Sequence, residues 1–277
     1  MPWIPPADRL HFEQYGYMVI RGVLAPGLIA DAVRDIAAYV RADLDNPQTW
    51  YNMPRELDGV VPLHHAQSLW NIRQDPSLYQ LFSEFFGTHR LGVDINRCIF
   101  RPPVSAAHPW VSHSDIHWDT DPLGPAEPSV QTGILLTPIK PNAGGFQCIP
   151  EIYRHLGSWL DQNARGRAHF DFQRPCLNSH RGIVQVTADA GDVILWSTQL
   201  PHGSASNLSK RPRIATFVTM CPPEDSPELR AEMRDLWLSK RAPVYWRGLP
   251  AQQDPEPGEP AKLTPLGRQL IGLDPWS

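Results

Sequence analysis

The sequence predicts a mostly β fold: a double-stranded β-helix, that is a jelly-roll, cupin-like barrel, with N-terminal and peripheral helices. Three observations predict it. Thirty prolines and nineteen glycines among 277 residues together exceed ordinary usage and favour turn-rich β architecture over a helical bundle. From residue 91 onward, short apolar runs alternate with period 2 between Gly/Pro turns, the pattern of many short antiparallel strands. Before residue 90 the apolar residues recur at helical spacing instead. No internal repeat or linker divides the chain, so one domain is expected over 1–277. Its parts would be a helical support over 1–90, a jelly-roll core over 91–220 with an insertion near 156–182, and a C-terminal helix with a Pro-rich tail over 221–277.

Taken in order, residues 10–24 open with a short helix that Gly16 stops, and a strand follows over 17–20. Pro26 suits the first position of a helix. There Leu28, Ile29, Ala32, Val33, Ile36 and Val40 form a stripe that reads as core packing. Residues 44–72 look irregular and aromatic. The adjacent His64 and His65 would face opposite sides of a strand, so structural or substrate-contact roles are expected rather than joint metal ligation. Asp75 caps and Pro76 starts a helix with Leu78, Leu81, Phe82, Phe85 and Phe86 on one face, ended by Gly87. Residues 91–100 read as one strand, with Val93, Ile95, Arg97 and Ile99 on one face and Asp94, Asn96, Cys98 and Phe100 on the other. Further strands are expected over 130–136, 146–150, 184–187, 193–196 and 213–220, a short helix around Trp159, and a helix over 227–240. The tail over 263–273 is left to packing, lid or dimer contact.

Net charge is −4 and the pI about 6.2, so nothing suggests a nucleic-acid or anionic-membrane partner. Cys98, Cys148, Cys176 and Cys221 stand far apart with no C-x-x-C pair, which argues against a zinc ribbon or a disulfide framework. With no signal-peptide pattern and no run of membrane-spanning length, the expectation is a cytoplasmic monomer or homodimer.

The chemistry is signalled by His117-Trp118-Asp119 and the distant His202. Side chains two apart on a strand share a face, so His117 and Asp119 would point the same way. A histidine from another strand would complete a 2-His-1-carboxylate facial triad, the arrangement that leaves open positions on non-heme Fe(II). His113-Ser114-Asp115 satisfies the same pattern, and on a continuous strand would share that face. Downstream, Gly191-Asp192 leads through an apolar strand to Pro201-His202-Gly203-Ser204, followed by Asn207 and Arg213.

On these residues the chain, from about Phe12 to Met220, resembles the phytanoyl-CoA dioxygenase-like family of Fe(II)/2-oxoglutarate oxygenases. Phe12-x-x-x-Gly16-Tyr17, an apolar strand and Gly22-Val23-Leu24 are similar to that family's N-terminal segment. The resemblance selects the later register, because the family's carboxylate lies at a similar distance before its Gly-Gly turn: Asp119 is 25 residues before Gly144. It implies His117, Asp119 and His202 as iron ligands, with Arg213 holding the far carboxylate of 2-oxoglutarate through its guanidinium fork and Ser204 supporting it. Gln131 and Thr132 would lie across the barrel, one of them facing the cosubstrate, while Arg211, just before Pro212, would reach solvent. Asn96, Arg97, Arg101, Trp110 and Trp118 are candidates for the substrate mouth. The family's Pro-Gly-Ser-His motif is replaced by Pro150-Glu151-Ile152-Tyr153-Arg154-His155, so His155 is given no function. The implied activity consumes Fe(II)-bound 2-oxoglutarate and O2, hydroxylates a small-molecule metabolite and releases succinate and CO2. Retention of Asp119 favours this over halogenation, in which the carboxylate ligand is missing. A cupin-like metalloenzyme independent of 2-oxoglutarate and a non-catalytic, lectin-type jelly-roll module are the alternatives; 2-oxoglutarate dependence and iron content separate them.

Overall fold

A computed structural model describes residues 2–53, 57–108, 114–122, 129–163, 177, 179–223, 226–243 and 258–276, without the side chains of Ser114 and Asn163. Prolines start three of the N-terminal helices and glycines end two of them. Helix α1 (Pro6–Tyr15) stops at Gly16, whose φ of 79° is left-handed; a side chain there would run into the Tyr153 ring. Strand β1 (Tyr17–Ile20) follows, then α2 (Pro26–Tyr39), which buries Ile29, Ala32 and Ile36. The stretch expected to be irregular also contains β2 (Val60–Val61) and α3 (Gln67–Arg73). Helix α3 is hard to read from sequence because it buries polar residues: the Arg73 guanidinium donates to the His64 and Asn96 carbonyls. His64 and His65 are both buried; the His65 ring bonds the Arg241 carbonyl at 2.9 Å, and burial pulls its pKa down to about 3. Helix α4 (Pro76–Phe86) begins where the Asp75 carboxylate accepts the Ser77 and Leu78 N–H groups and ends at Gly87.

Ten further strands follow: β3 (Gly92–Val93), β4 (Cys98–Arg101), β5 (Ser114–His117), β6 (Val130–Leu135), β7 (Phe146–Cys148), β8 (Val184–Gln185), β9 (Val193–Ser197), β10 (His202–Ser204), β11 (Arg213–Phe217) and β12 (Met220–Cys221). Interspersed are α5 (Pro150–Arg154), α6 (Leu156–Asn163), α7 (Pro227–Ser239) and α8 (Pro265–Leu270). One antiparallel sheet runs β1-β9-β6-β11-β4-β2, a second β5-β10-β7-β8, and β12 pairs with β3 alone. The expected strand over 91–100 is thus two strands in different sheets. Its break is built by Asp94, whose carboxylate accepts the Thr219 N–H at 2.8 Å, and by Asn96, whose side-chain oxygen accepts the Arg97 N–H.

Helix exceeds strand, at 34% against 21%, which corrects the mostly β expectation to a mixed fold. The physical reason lies in how the large sheet is covered. Its rear face presents Ile20, Phe100, Ile134, Leu195 and Ile214, and these pack on Ile36, Leu69, Ile72, Leu81 and Phe82 of the helices. Each such side chain contributes about 1.5–3 kcal/mol when removed from water, so the sheet needs its helical layer. The front face, with Ile99, Leu135, Ile194 and Ala215, packs with Phe146 and Cys148 of the smaller sheet. Behind that smaller sheet, Ile116 and Trp118 pack on Ile152 of α5 and Leu156 and Leu160 of α6. No helix among the described residues is long and apolar enough to cross a membrane.

Candidate metal centre

Strand β5 delivers His117, and Asp119 lies two residues further on, just past the strand end. Its neighbour β10 places His202 directly opposite His117 in register, and the ring centroids are 5.2 Å apart. The Nδ1 atom of His117 lies 2.6 Å from the Asp115 carbonyl and that of His202 2.9 Å from the Leu200 carbonyl. A carbonyl only accepts, so each Nδ1 carries the proton and each Nε2 presents a lone pair. Both Nε2 atoms stand 3.3 Å from Asp119, one at each carboxylate oxygen. One donor atom from each of the three residues lies within 4.8 Å of the others.

Two imidazole lone pairs and a carboxylate repel one another unless a cation sits among them. A proton on the rings supplies such a charge as well: burial pushes the Asp119 carboxyl up, but hydrogen bonds and charge from His117 and His202 outweigh it and hold the group well below the usual range. For His117, burial works against the charged form, and the contacts with Asp119 and the Asp115 carbonyl more than offset it. Two nitrogens and one oxygen converging from one side, with the other side facing a cavity, fit the donor set and open positions of a 2-His-1-carboxylate Fe(II) centre.

Gln131 holds the carboxylate ligand. Its Nε2 donates to Asp119 Oδ2 at 2.7 Å, while its Oε1 accepts the Trp196 indole N–H at 2.9 Å. The indole can only donate, which fixes which end of the amide faces Asp119. Thr132, the other of the pair of which one was expected to face the cosubstrate, turns away. Although it touches the cavity wall, its hydroxyl donates to the Val218 carbonyl, so alternation on β6 commits it behind the sheet.

The cavity between the two sheets has a volume of about 770 Å³ and is lined by all three candidate ligands, by Gln131, Ser204 and Arg213, and by apolar groups including Phe146, Ile194 and Trp196. Arg213 is 6% exposed and its Nη1 donates to Ser204 Oγ at 3.0 Å. Arg211 points outward to the Leu44 carbonyl and Asp45. Asn207 shapes the turn between β10 and β11 by donating to the Arg101 and Arg211 carbonyls, and Gly144 packs so close to it that a β-carbon would clash. Asp192 has a structural role: its carboxylate accepts the Gly22 and Asp189 N–H groups and pairs with Arg21, tying β9 to the end of β1.

Of the substrate-mouth candidates, Asn96, Arg97 and Arg101 line the cavity. Trp118 does not. It is 1% exposed, donates its indole N–H to the Gln199 carbonyl and packs behind the small sheet, because strand alternation turns it away from His117. Trp110 and His113 lie outside the described residues, and Asp115 is exposed. The roles of Trp196 and Gln131 around Asp119 had no signal in local spacing, since both come from the opposite sheet.

Comparison with known proteins gives this fold a family. The phytanoyl-CoA dioxygenase (PhyH) family profile matches residues 12–215, and the chain belongs to that family. A Dictyostelium discoideum protein named "Putative phytanoyl-CoA dioxygenase" is 22% identical over 80% of this chain and 77% of its own. Among solved structures, GIG2 (DUF1479) of Candida albicans superposes with a TM-score of 0.70 at 14% identity, covering 99% of this chain and 77% of that one. HygX of Streptomyces hygroscopicus, solved with nickel and 2-oxoglutarate bound, gives a TM-score of 0.52 at 16% identity over 80% and 88% of the two chains.

Proposed function

We propose that this protein is an Fe(II)- and 2-oxoglutarate-dependent dioxygenase that hydroxylates a small-molecule metabolite, and that its two sheets form a double-stranded β-helix. The observation that carries the reading is the convergence of His117 Nε2, His202 Nε2 and the Asp119 carboxylate beside a cavity that also holds the buried Arg213. When bound, iron, 2-oxoglutarate and O2 supply the oxidising chemistry, which yields succinate, CO2 and a hydroxylated product.

The residues of the chain do the rest. His117, Asp119 and His202 would occupy one side of the metal and leave the cavity side to exchangeable ligands. Gln131, anchored by Trp196, keeps the Asp119 carboxylate aimed inward; such supporting bonds orient a ligand and tune its basicity. Arg213 and Ser204 would receive the far carboxylate of 2-oxoglutarate. Phe146, Ile194 and Trp196 keep water from the same space, which strengthens every charge interaction inside it. A metalloenzyme without 2-oxoglutarate has no use for a buried guanidinium at that place.

The cavity suits a small organic substrate, apolar over much of its wall with a few polar anchors. The test has two stages. Full-length protein with anaerobic Fe(II) and 2-oxoglutarate should develop a visible charge-transfer band. A metabolite panel is then screened for accelerated succinate formation and a product heavier by one oxygen. No band would overturn the oxygenase reading, whereas a band with turnover only on a polypeptide or oligonucleotide would overturn the small-molecule part alone.

A further inference from the structure

At the end of the cavity away from Arg213 stands another guanidinium. Arg97, Ile99 and Arg101 alternate onto the cavity face and line it, whereas Cys98 and Phe100 point into the core behind. Arg213 stands opposite Arg101 on the β11–β4 ladder and bonds Ser204, which fixes one end. Arg97 is four residues from Arg101, about 13 Å along an extended chain. There Phe217, whose N–H donates to the Arg97 carbonyl, is paired with Gly133, two residues from the Gln131 that holds Asp119. Arg97 is also close enough to His117 for its charge to oppose one on that ring.

The chain pins the Arg97 backbone from both sides. Opposite the Phe217 contact, its N–H donates to Asn96 Oδ1 at 2.9 Å. Asn96 in turn donates to Asp94, whose other carboxylate oxygen accepts the Thr219 N–H. Asp94 and Asn96 are thus engaged in the frame, and the frame holds a half-buried guanidinium at the metal end of the cavity.

A count of charge says what that guanidinium faces. The described residues lining the cavity include the guanidiniums of Arg97, Arg101 and Arg213 and the carboxylates of Asp58, Asp94 and Asp119. Asp58 is exposed, so solvent screens it. Asp119 is held among the candidate metal ligands, and Asp94 in the frame. Fe(II) and 2-oxoglutarate, two plus and two minus, cancel. About one positive charge is left over in a largely apolar space, where a charge needs an opposite partner. We propose that Arg97 binds an anionic group of the primary substrate, a carboxylate or a phosphate, so that the substrate is a small organic acid or phosphate ester. The guanidinium fork matches either anion bidentately. The inference rests on the oxygenase reading above.

The test reads binding, not turnover. Full-length protein, loaded anaerobically with Fe(II) and 2-oxoglutarate, is titrated with matched pairs that differ chiefly in charge. These are hexanoate and hexanamide, phenylacetate and phenylacetamide, hexyl phosphate and hexanol, and like pairs made from the acids and phosphate esters of the metabolite panel. The Kd is read from a shift of the visible band. Anions should shift the band without abolishing it, and should bind about 30-fold or more tighter than their neutral partners. In Arg97→Gln that preference should fall to about threefold or less, with the Kd for 2-oxoglutarate within about twofold of the wild type. Arg97→Lys keeps the charge but loses the fork and should retain part of the preference. The proposal is overturned by neutral or cationic binders in place of anions, by an anion preference that survives Arg97→Gln, or by no binding from any acid or phosphate. Anions that abolish the band by displacing 2-oxoglutarate overturn it too. Equal losses of anion and 2-oxoglutarate affinity in Arg97→Gln would mark Arg97 as merely structural and do the same. A wild-type protein without a band overturns the oxygenase reading, whereas a normal band with no anion preference overturns this proposal alone.

Discussion

At the scale of the residue, Asp119 joins the two halves of the site: it meets both imidazoles on one side and Gln131 on the other. As three ligands on one metal face, His117, Asp119 and His202 would leave no spare. His117→Ala, Asp119→Ala and His202→Ala should each lose most bound iron, measured per chain after anaerobic reconstitution, while His113→Ala and Asp115→Ala keep it. Iron lost from the second set and retained in the first would move the centre to the earlier register. Arg213 and Arg211 provide a second contrast two residues apart. Truncating a buried charge partner costs about 2–5 kcal/mol, so Arg213→Ala should raise the apparent KM for 2-oxoglutarate strongly. Arg211, paired with Asp45 at the surface, should change it by no more than about twofold. Similar effects of the two would remove Arg213 from the cosubstrate site.

Asp94 allows a pH prediction. Burial raises its carboxyl to about 6, against the bonds from the Thr219 N–H and Asn96 that pull it down. A carboxyl whose pKa is higher folded than unfolded contributes stability that is fully present below the unfolded value, near 3.8, and is lost as pH rises through the folded one. Urea melts should show the wild type losing stability relative to Asp94→Asn between about pH 4 and pH 6. A constant difference across that window would mean that folding leaves the Asp94 carboxyl at its unfolded pKa.

At the scale of the element, alternation governs β5 and its exit. His117 and Asp119 reach the cavity side, and Trp118 between them is driven into the cluster with Ile152, Leu156 and Leu160. Trp118→Ala should therefore cost about 3–5 kcal/mol of folding stability, read as a shift in the urea midpoint. A substrate-contact residue would instead leave the midpoint unchanged and alter only turnover. The same logic separates Gln131, facing Asp119, from Thr132, bonded to the Val218 carbonyl. Both distinctions were available from period 2 alone, given one reference residue of known direction.

At the scale of the whole molecule, the candidate ligands come from the smaller sheet and Gln131 and Arg213 from the larger, so binding between them stabilises the folded arrangement. A ligand present at a hundred times its Kd adds about 2.7 kcal/mol. Saturating the protein anaerobically with Fe(II) and 2-oxoglutarate should raise the thermal midpoint by several degrees, and a chelator should reverse it. The rise should vanish in His202→Ala, whose ligand atom is absent. A midpoint indifferent to metal in the wild type would show that these three side chains do not bind it in the folded state.

What the sequence determined by itself is what local chemistry dictates. Pro26, Pro76, Gly16 and Gly87 delimit helices through their own backbone limits. His117-x-Asp119 share a direction because strands alternate, and Arg213 is a cation on a mostly apolar strand. Even the missed side of Trp118 was encoded in that alternation. The tertiary structure decided what depends on pairing between distant segments. It divided residues 91–100 between two sheets at Asp94, set Gln131 and Trp196 around Asp119, and brought Arg101 opposite Arg213. Such contacts follow from register and sheet order, which thousands of weak apolar contacts settle collectively, and no window of sequence contains them.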